Sequence, residues 1–253
     1  MKTQLAIELS ENAVQFTSLQ DGIAVQVDFF SFKDRLDYRF KEQLEQIFQE
    51  KKYKEIPFDE YTLSWYTPNS TLLPNNVFTE TKPEDSFRLC FNKDVPNSHI
   101  DYNRISELSI VNVFEIPLWV KSFFVIKFPR IVIQNEGSLL LRYLFSSSTL
   151  ALQSVITIHQ DSVCIVIVKE NSLQFYSHFN YINSDDIVYH LMFILQQLKA
   201  VGEKGVINLV KGVGSLDEIV EEVKVKLLKL KDLDTLEIKI NSHILIKSHL
   251  LCV

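Results

Sequence analysis

At 253 residues, with 46% hydrophobic and 23% charged side chains, the chain can fill the core of one large domain or two ordinary ones, which excludes a disordered polypeptide. Its formal charge of −6 carries no basic excess, which argues against a nucleic-acid surface. Cys90, Cys164 and Cys252 are odd in number and far apart, which leaves no disulfide framework and no C-x-x-C motif and points to a reducing, cytoplasmic setting.

In chain order, Leu5, Ile7 and Leu9 alternate with polar neighbours, and Glu8 and Ser10 interrupt the run before it could form a signal-peptide core. Ser10-Glu11-Asn12 reads as a turn and Ala13–Leu19 as the second strand. Gln20-Asp21-Gly22 then supplies a tight hairpin, followed by a third strand with Ile23, Val25, Val27 and Phe29 expected on one face. Leu36, Phe40, Leu44, Ile47 and Phe48 recur at helical spacing behind a cap at Asp34 or Asp37, and a strand over 61–66 follows. Residues 67–108 are richer in Pro, Asn and Asp and read as an inserted small subdomain or a long excursion. A strand over 109–115, a helix over 117–126, a strand over 130–134 and a helix over 138–145 complete the first half.

The order of three strands, a helix and a strand then returns. Strands are expected over 152–159, 163–169 and 173–179. Ser184-Asp185-Asp186 should cap a helix striped by Ile187, Leu191, Ile194, Leu195 and Leu198, and a strand over 206–210 follows. The two units start about 148 residues apart. A turn over 211–214, a helix over 216–230 and strands over 236–240 and 244–246 finish the chain. The longest apolar-rich segment, Ile187–Leu198, contains His190 and two glutamines and is too short to span a bilayer, so no membrane partner is expected. The expected class is α/β, a duplicated fold with largely parallel sheets covered on both faces. Its halves are residues 1–149 and 150–253, with 67–108 inserted in the first.

Six glycines, at 22, 137, 202, 205, 212 and 214, are well under half the usual share of roughly 7%. They matter because glycine lets backbone amides approach a phosphate that any Cβ would obstruct. The Ser10–Asn12 turn has none, and Glu11 would repel a polyanion. Gln160-Asp161-Ser162, at the corresponding turn of the second half, offers an aspartate that could orient a metal-bound water or simply bond its own backbone. Lys211-Gly212-Val213-Gly214-Ser215 lies between a strand and a helix N-terminus, where free amides favour anions. It matches neither a dinucleotide fingerprint nor a Walker loop, and Ser215 with Glu218 spells a capping box that accounts for the segment without any ligand.

In the following helix, Asp217, Glu218, Glu221 and Glu222 come first and Lys224, Lys226, Lys229 and Lys231 last, the order the helix dipole favours on a solvated face. The six histidines show no metal-ligand spacing, and Ser146–Ser148 lack the context of a nucleophile elbow.

The twice-repeated order is similar to the actin-like fold shared by actin, sugar kinases and chaperone ATPases. Leu72–Phe78, Phe87–Phe91 and Ile187-Val188-Tyr189-His190 further resemble a functionally uncharacterised bacterial family with a degenerate actin-like ATPase fold. In active proteins of that fold, an Asp-x-Gly-type turn in each half holds phosphates and magnesium, and a Gly-Gly-type turn holds adenosine. The resemblance places these turns at Glu8–Asn12, His159–Ser162 and Gly212–Gly214, and only the third keeps its glycines. It implies a catalytically silent actin-like protein, with no cofactor, that works through a protein partner or self-association as a scaffold or adaptor. The alternative is a weak ATPase or kinase binding ATP and magnesium through Glu8 or Asp161 and adenosine through Gly212 and Gly214.

Overall fold

The computed structural model describes residues 2–32, 37–51, 53, 56–146 and 151–251. Contacts divide the chain into two compact units, Met1–Leu139 with His249–Val253, and Leu140–Ser248. The expected boundary between residues 149 and 150 lies within residues 147–150, outside the described residues.

In the first unit, β1 (Thr3–Leu9), β2 (Ala13–Gln20) and β3 (Ile23–Ser31) form an antiparallel meander. Its second turn is built on Asp21 and Gly22, both at positive φ (48° and 80°), the conformation a two-residue hairpin needs. Helix α1 (Asp37–Lys51) crosses to β4 (Glu60–Trp65), which runs parallel to β1. The expected cap Asp34 and the stripe residue Leu36 lie outside the described residues. Beyond β4 the chain forms β5 (Ser70–Pro74), α2 (Pro83–Phe91), β6 (Ile100–Ile105) and β7 (Ile110–Glu115), a three-stranded sheet of order β5-β7-β6 with Phe87, Ile100, Val111 and Val113 as its core. The strand expected to resume the first half after residue 108 is therefore the middle strand of the insertion. It pairs with β5 and β6 on both sides, so the inserted sheet runs through Glu115. Helix α3 (Leu118–Lys127), β8 (Val132–Asn135) and α4 (Glu136–Phe145) follow, and β8 joins β4 in parallel.

The second unit repeats this plan with β9 (Leu152–Ile158), β10 (Ser162–Lys169), β11 (Ser172–Asn180), α5 (Ser184–Gln197), β12 (Gly205–Lys211), α6 (Asp217–Leu227) and β13 (Leu236–Ile240). The sheet orders are β3-β2-β1-β4-β8 and β11-β10-β9-β12-β13. Both are mixed rather than largely parallel: short turns force the first three strands antiparallel, and only the helical crossovers give parallel pairs. The cap of α5 is Asn183, one residue before the expected one, in a reciprocal capping box with Asp186. The final apolar run, expected as a strand at 244–246, is helix α7 (Ile244–His249). Its buried residues Ile244, Leu245, Ser248 and His249 recur at helical spacing.

The duplication extends to single hydrogen bonds. β9, β10 and β11 each begin 149 residues after β1, β2 and β3. The register slips between Ser18 and Leu19 in β2 and, at the same offset, between Ile167 and Val168 in β10. Ser10 N donates to Ala13 O at 3.0 Å and His159 N to Ser162 O at 2.9 Å; Phe32 N donates to Asn12 O and Tyr181 N to Asp161 O. Each pair again differs by 149. A β-bulge forced twice at one position reflects one inherited plan, since bulges are specific local features rather than random defects.

Each unit has its own core. Leu5, Ile7, Leu9, Val14 and Phe16 meet Phe40, Leu44 and Phe48 in the first, and Phe16 stacks on Tyr53 at 4.4 Å. Ile156, Ile158, Val163, Ile165 and Ile167 meet Ile187, Leu191 and Leu195 in the second. A bulge in β3, opposite Ser18 and Leu19 of β2, divides the stripe expected on this strand. Val27 and Phe29 lie beside Thr17 and Gln15, Val25 is the bulged residue, and Ile23 pairs with Gln20 beyond it.

Candidate functional site

Glu8 lies near the C-terminal end of β1 and is buried. Gln15 Nε2 donates to its Oε2 at 3.1 Å. Strand register sets Gln15, Glu8, Ser64 and Gln134 side by side across β2, β1, β4 and β8, a polar row on one face. Ser64 Oγ and Gln134 Oε1 are buried there with no hydrogen-bond partner among the described residues. Burial pushes the Glu8 carboxyl up to about 8, and the negative charge of buried Glu136, the first residue of α4, adds to the rise. At neutral pH burial therefore favours the protonated form of Glu8, which can donate a hydrogen bond.

The tip of this hairpin is closed on itself. Ser10 Oγ accepts from the amides of Asn12 and Ala13, both at 3.2 Å. These are amides that a phosphate at the tip would use, and a neutral hydroxyl already fills their direction. Glu11 projects its carboxylate at the exposed turn.

In the second unit the equivalent tip is tied differently. The Tyr181 hydroxyl donates to the carbonyl oxygens of His159 and, at 3.2 Å, of Gln160. Burial, with the charge of Asp161 behind it, raises the Tyr181 phenol to about 12. Asp161 is exposed and accepts from Ser162 Oγ at 3.2 Å. Its offset counterpart in the first unit is Asn12 rather than Glu8, whose own counterpart is Thr157; the two carboxylates singled out in the sequence are therefore not equivalent positions.

Gly212 lies at the end of β12, where its amide donates to Ile158 O at 2.8 Å. A Cβ built there would stand 2.4–2.6 Å from three atoms of the His159 ring. The glycine is thus required by a buried histidine seated on its α-carbon. Gly214, at φ +84°, turns the chain into α6, and Ser215 N bonds Gly212 O at 3.1 Å. The expected capping box of Ser215 with Glu218 does not form. The N-cap is Leu216, without a side-chain bond, and Ser215 Oγ is buried without a partner among the described residues. Lys211 instead holds Asp217 at 2.8 Å, and α6 ends at Leu227, short of Lys229 and Lys231.

Other expected positions carry structural roles. His249 is fully buried, its Nδ1 2.7 Å from Thr62 Oγ1, and burial lowers its pKa to about 4. Burial, helped by His159, lowers His178 to about 3. Ser146 Oγ donates to Tyr143 O at 2.7 Å, while Ser147, Ser148 and Cys252 lie outside the described residues. Among the described residues no group of three or more His, Cys, Asp or Glu is placed to hold a metal ion, and no helix is long and apolar enough to cross a membrane.

The model of the family described as "Protein of unknown function (DUF3822)" matches residues 1–225. The chain belongs to this family. No curated protein sequence matches it. Its structure is similar to a protein with actin-like ATPase fold and unknown function from Bacteroides thetaiotaomicron, with TM-score 0.79 and 18% identity over 100% of this chain and 96% of that one. It is also similar to the PilM-PilN type IV pilus biogenesis complex, at TM-score 0.60 and 8% identity over 98% and 97% of the two chains. The ethanolamine utilization protein EutJ from Carboxydothermus hydrogenoformans aligns at TM-score 0.54 and 11% identity, over 100% and 90%. These likenesses establish the actin-like ATPase fold of the family member.

The sequence singled out neither Glu136 nor Tyr181, and His159 only as the first residue of a turn. A glutamate opening a helix reads as a dipole partner, and a histidine ending a strand reads as a turn residue. Only folding brings them against Glu8, Gly212 and the second hairpin tip.

Proposed function

We propose that this family member is a catalytically inactive actin-like protein that acts through protein–protein contacts, as a scaffold or adaptor in the cytoplasm. The observation that carries the reading is the condition of the two hairpin tips. Ser10 occupies the amides of one, and Tyr181 ties the carbonyls of the other. Gly212, the one glycine pattern retained from active relatives, is taken up by the ring of His159. A protein aligned over nearly the whole chain works within a pilus biogenesis complex, which suits an actin-like body used as a binding platform. The exposed Cys90 carries a free thiol, which suits a reducing compartment.

The second reading, a weak ATPase or kinase using ATP and magnesium, is favoured by the buried carboxylates Glu8 and Glu136. Calorimetry and thermal melting with millimolar Mg-ATP separate the two. The inert reading expects no heat and no change in Tm. A ligand at a hundred times its dissociation constant would stabilise the fold by roughly 2.7 kcal/mol, and a shift of that size would overturn it.

A further inference from the structure

Helices α1 and α3 of the first unit, with the turn of residues 97–99, line a cavity of about 520 Å³. α3 contributes Leu118, Trp119, Phe123 and Ile126 as an apolar wall, and α1 contributes Lys41 and Glu45. Leu118 and Ile126 are left 46% and 73% exposed. Small-molecule sites span roughly 300–1,000 Å³ and set a few polar groups into such a wall. None of these residues lies at either hairpin tip.

The polar lining is short of acceptors. Its one carboxylate, Glu45, is taken by Lys127 at 2.6 Å, and that ammonium also lies 5.3 Å from the centre of the Phe123 ring. Lys41, by contrast, is exposed and has no ion pair among the described residues. The indole N–H of Trp119 is buried with no acceptor among them. Two lysines against one glutamate leave the lining with a net charge of +1, and His99 adds no negative charge.

The duplicated unit supplies an internal comparison. There α6 precedes the fifth strand, as α3 does in the first unit. It is bridged to α5 by Ser184 Oγ on Glu222 at 2.8 Å and by Lys226 on Asp185 at 2.7 Å. The shared plan therefore does not by itself leave a lysine without a partner between these helices.

We propose that the cavity between α1 and α3 binds a small carboxylic acid with an apolar body. The carboxylate pairs with Lys41, and the body covers Leu118, Trp119, Phe123 and Ile126. An acid fits where an amine does not, because the groups without partners are donors and the net charge is positive. A neutral apolar molecule fills the same volume but leaves Lys41 without the charge-assisted bond that a carboxylate makes.

Decanoate, decan-1-ol and decyltrimethylammonium share one chain and differ in charge, so titrating each into the full chain tests this. Decanoate should change the fluorescence of Trp119 saturably, with a Kd below about 1 mM. The alcohol and the ammonium should each bind at least about tenfold more weakly. Lys41→Gln should weaken decanoate about tenfold and leave the alcohol unchanged, whereas Lys226→Gln on α6 should change neither. Ile126→Asp, at a second exposed position, should weaken all of the binding. Trp119→Phe should remove the fluorescence response while calorimetry still records decanoate, since Trp65 is buried in the core with its N–H on Glu115 O. No saturable binding of decanoate below about 1 mM overturns the proposal. So does equal binding of the three probes, and so does decanoate binding indifferent to both Lys41→Gln and Ile126→Asp. A protein held through Lys41 and Ile126 by a chain that does not bind decanoate would likewise assign the cavity to a protein segment and overturn it. Mg-ATP binding would sink the scaffold reading and leave this site untouched.

Discussion

The two halves share one backbone plan yet secure their first hairpins with side chains from opposite ends of it. In the first unit Ser10, inside the turn, bonds the amides of Asn12 and Ala13. In the second that position is His159, whose ring lies on Gly212, and the tie comes from Tyr181 just beyond β11. The reciprocal position in the first unit is Phe32, which has no hydroxyl and packs against Phe40 at 4.1 Å. Two unrelated solutions at equivalent tips show that closure of the turns matters while the means does not.

The largest expected effect concerns Glu8, which the second unit replaces with Thr157. Its folded pKa of about 8 lies above the 4.5 of a glutamate free in water, so the folded state prefers the protonated acid. Stability contributed by this group is full below about 4.5, declines as pH rises through 8, and is lowest above that. Glu8→Gln mimics the protonated form. The variant should match the wild type in denaturant melts at pH 5 and exceed it at pH 9 by on the order of a few kcal/mol. Equal stability at both pH values would show that the carboxylate is not held neutral.

The next effect probes the other half. Gly212→Ala drives a methyl group into the His159 ring and should destabilise by about 1–3 kcal/mol, seen as a lower Tm. Adding His159→Ala should recover part of the loss, because the two residues share one contact. If Gly212→Ala is neutral, the glycine is not kept by packing and a ligand explanation for it regains force.

Legibility followed the locality of the interactions. Alternating apolar residues, the Asp21-Gly22 turn and the stripe Ile187, Leu191, Ile194 and Leu195 revealed the strands and α5, because each signal sits within a dozen residues. The far edge of the inserted sheet is not legible in the sequence, because whether β7 pairs with β5 or β4 depends on residues far apart. Ile244–Ile246 could be strand or helix, since three apolar residues lack a period, and only burial of Ser248 and His249 settles it. At the candidate site, Gly212 and Gly214 read as a ligand turn, but the ring that occupies Gly212 comes from position 159. Glu136 was invisible for the same reason. The polar row of Gln15, Glu8, Ser64 and Gln134 required the register of four strands at once.

The two tip closures give the smallest effects and the closest test of their equivalence. Ser10→Ala leaves two amides without their hydroxyl partner and should cost about 1.5 kcal/mol, the upper end of the range for a single bond, because the site is buried. Tyr181→Phe keeps the ring in place and removes one donor shared by two carbonyls, for roughly 0.5–1.5 kcal/mol. Exchange at the tip amides tells the two apart better than melting does. Ser10→Ala should speed hydrogen exchange at Asn12 and Ala13, whose N–H groups the hydroxyl shields. Tyr181→Phe should leave the amide of His159 protected, because that N–H is bonded to Ser162 O and the tyrosine engages only carbonyls. Faster exchange at His159 in Tyr181→Phe would mean that the tyrosine holds the whole turn together, making it the stronger of the two locks.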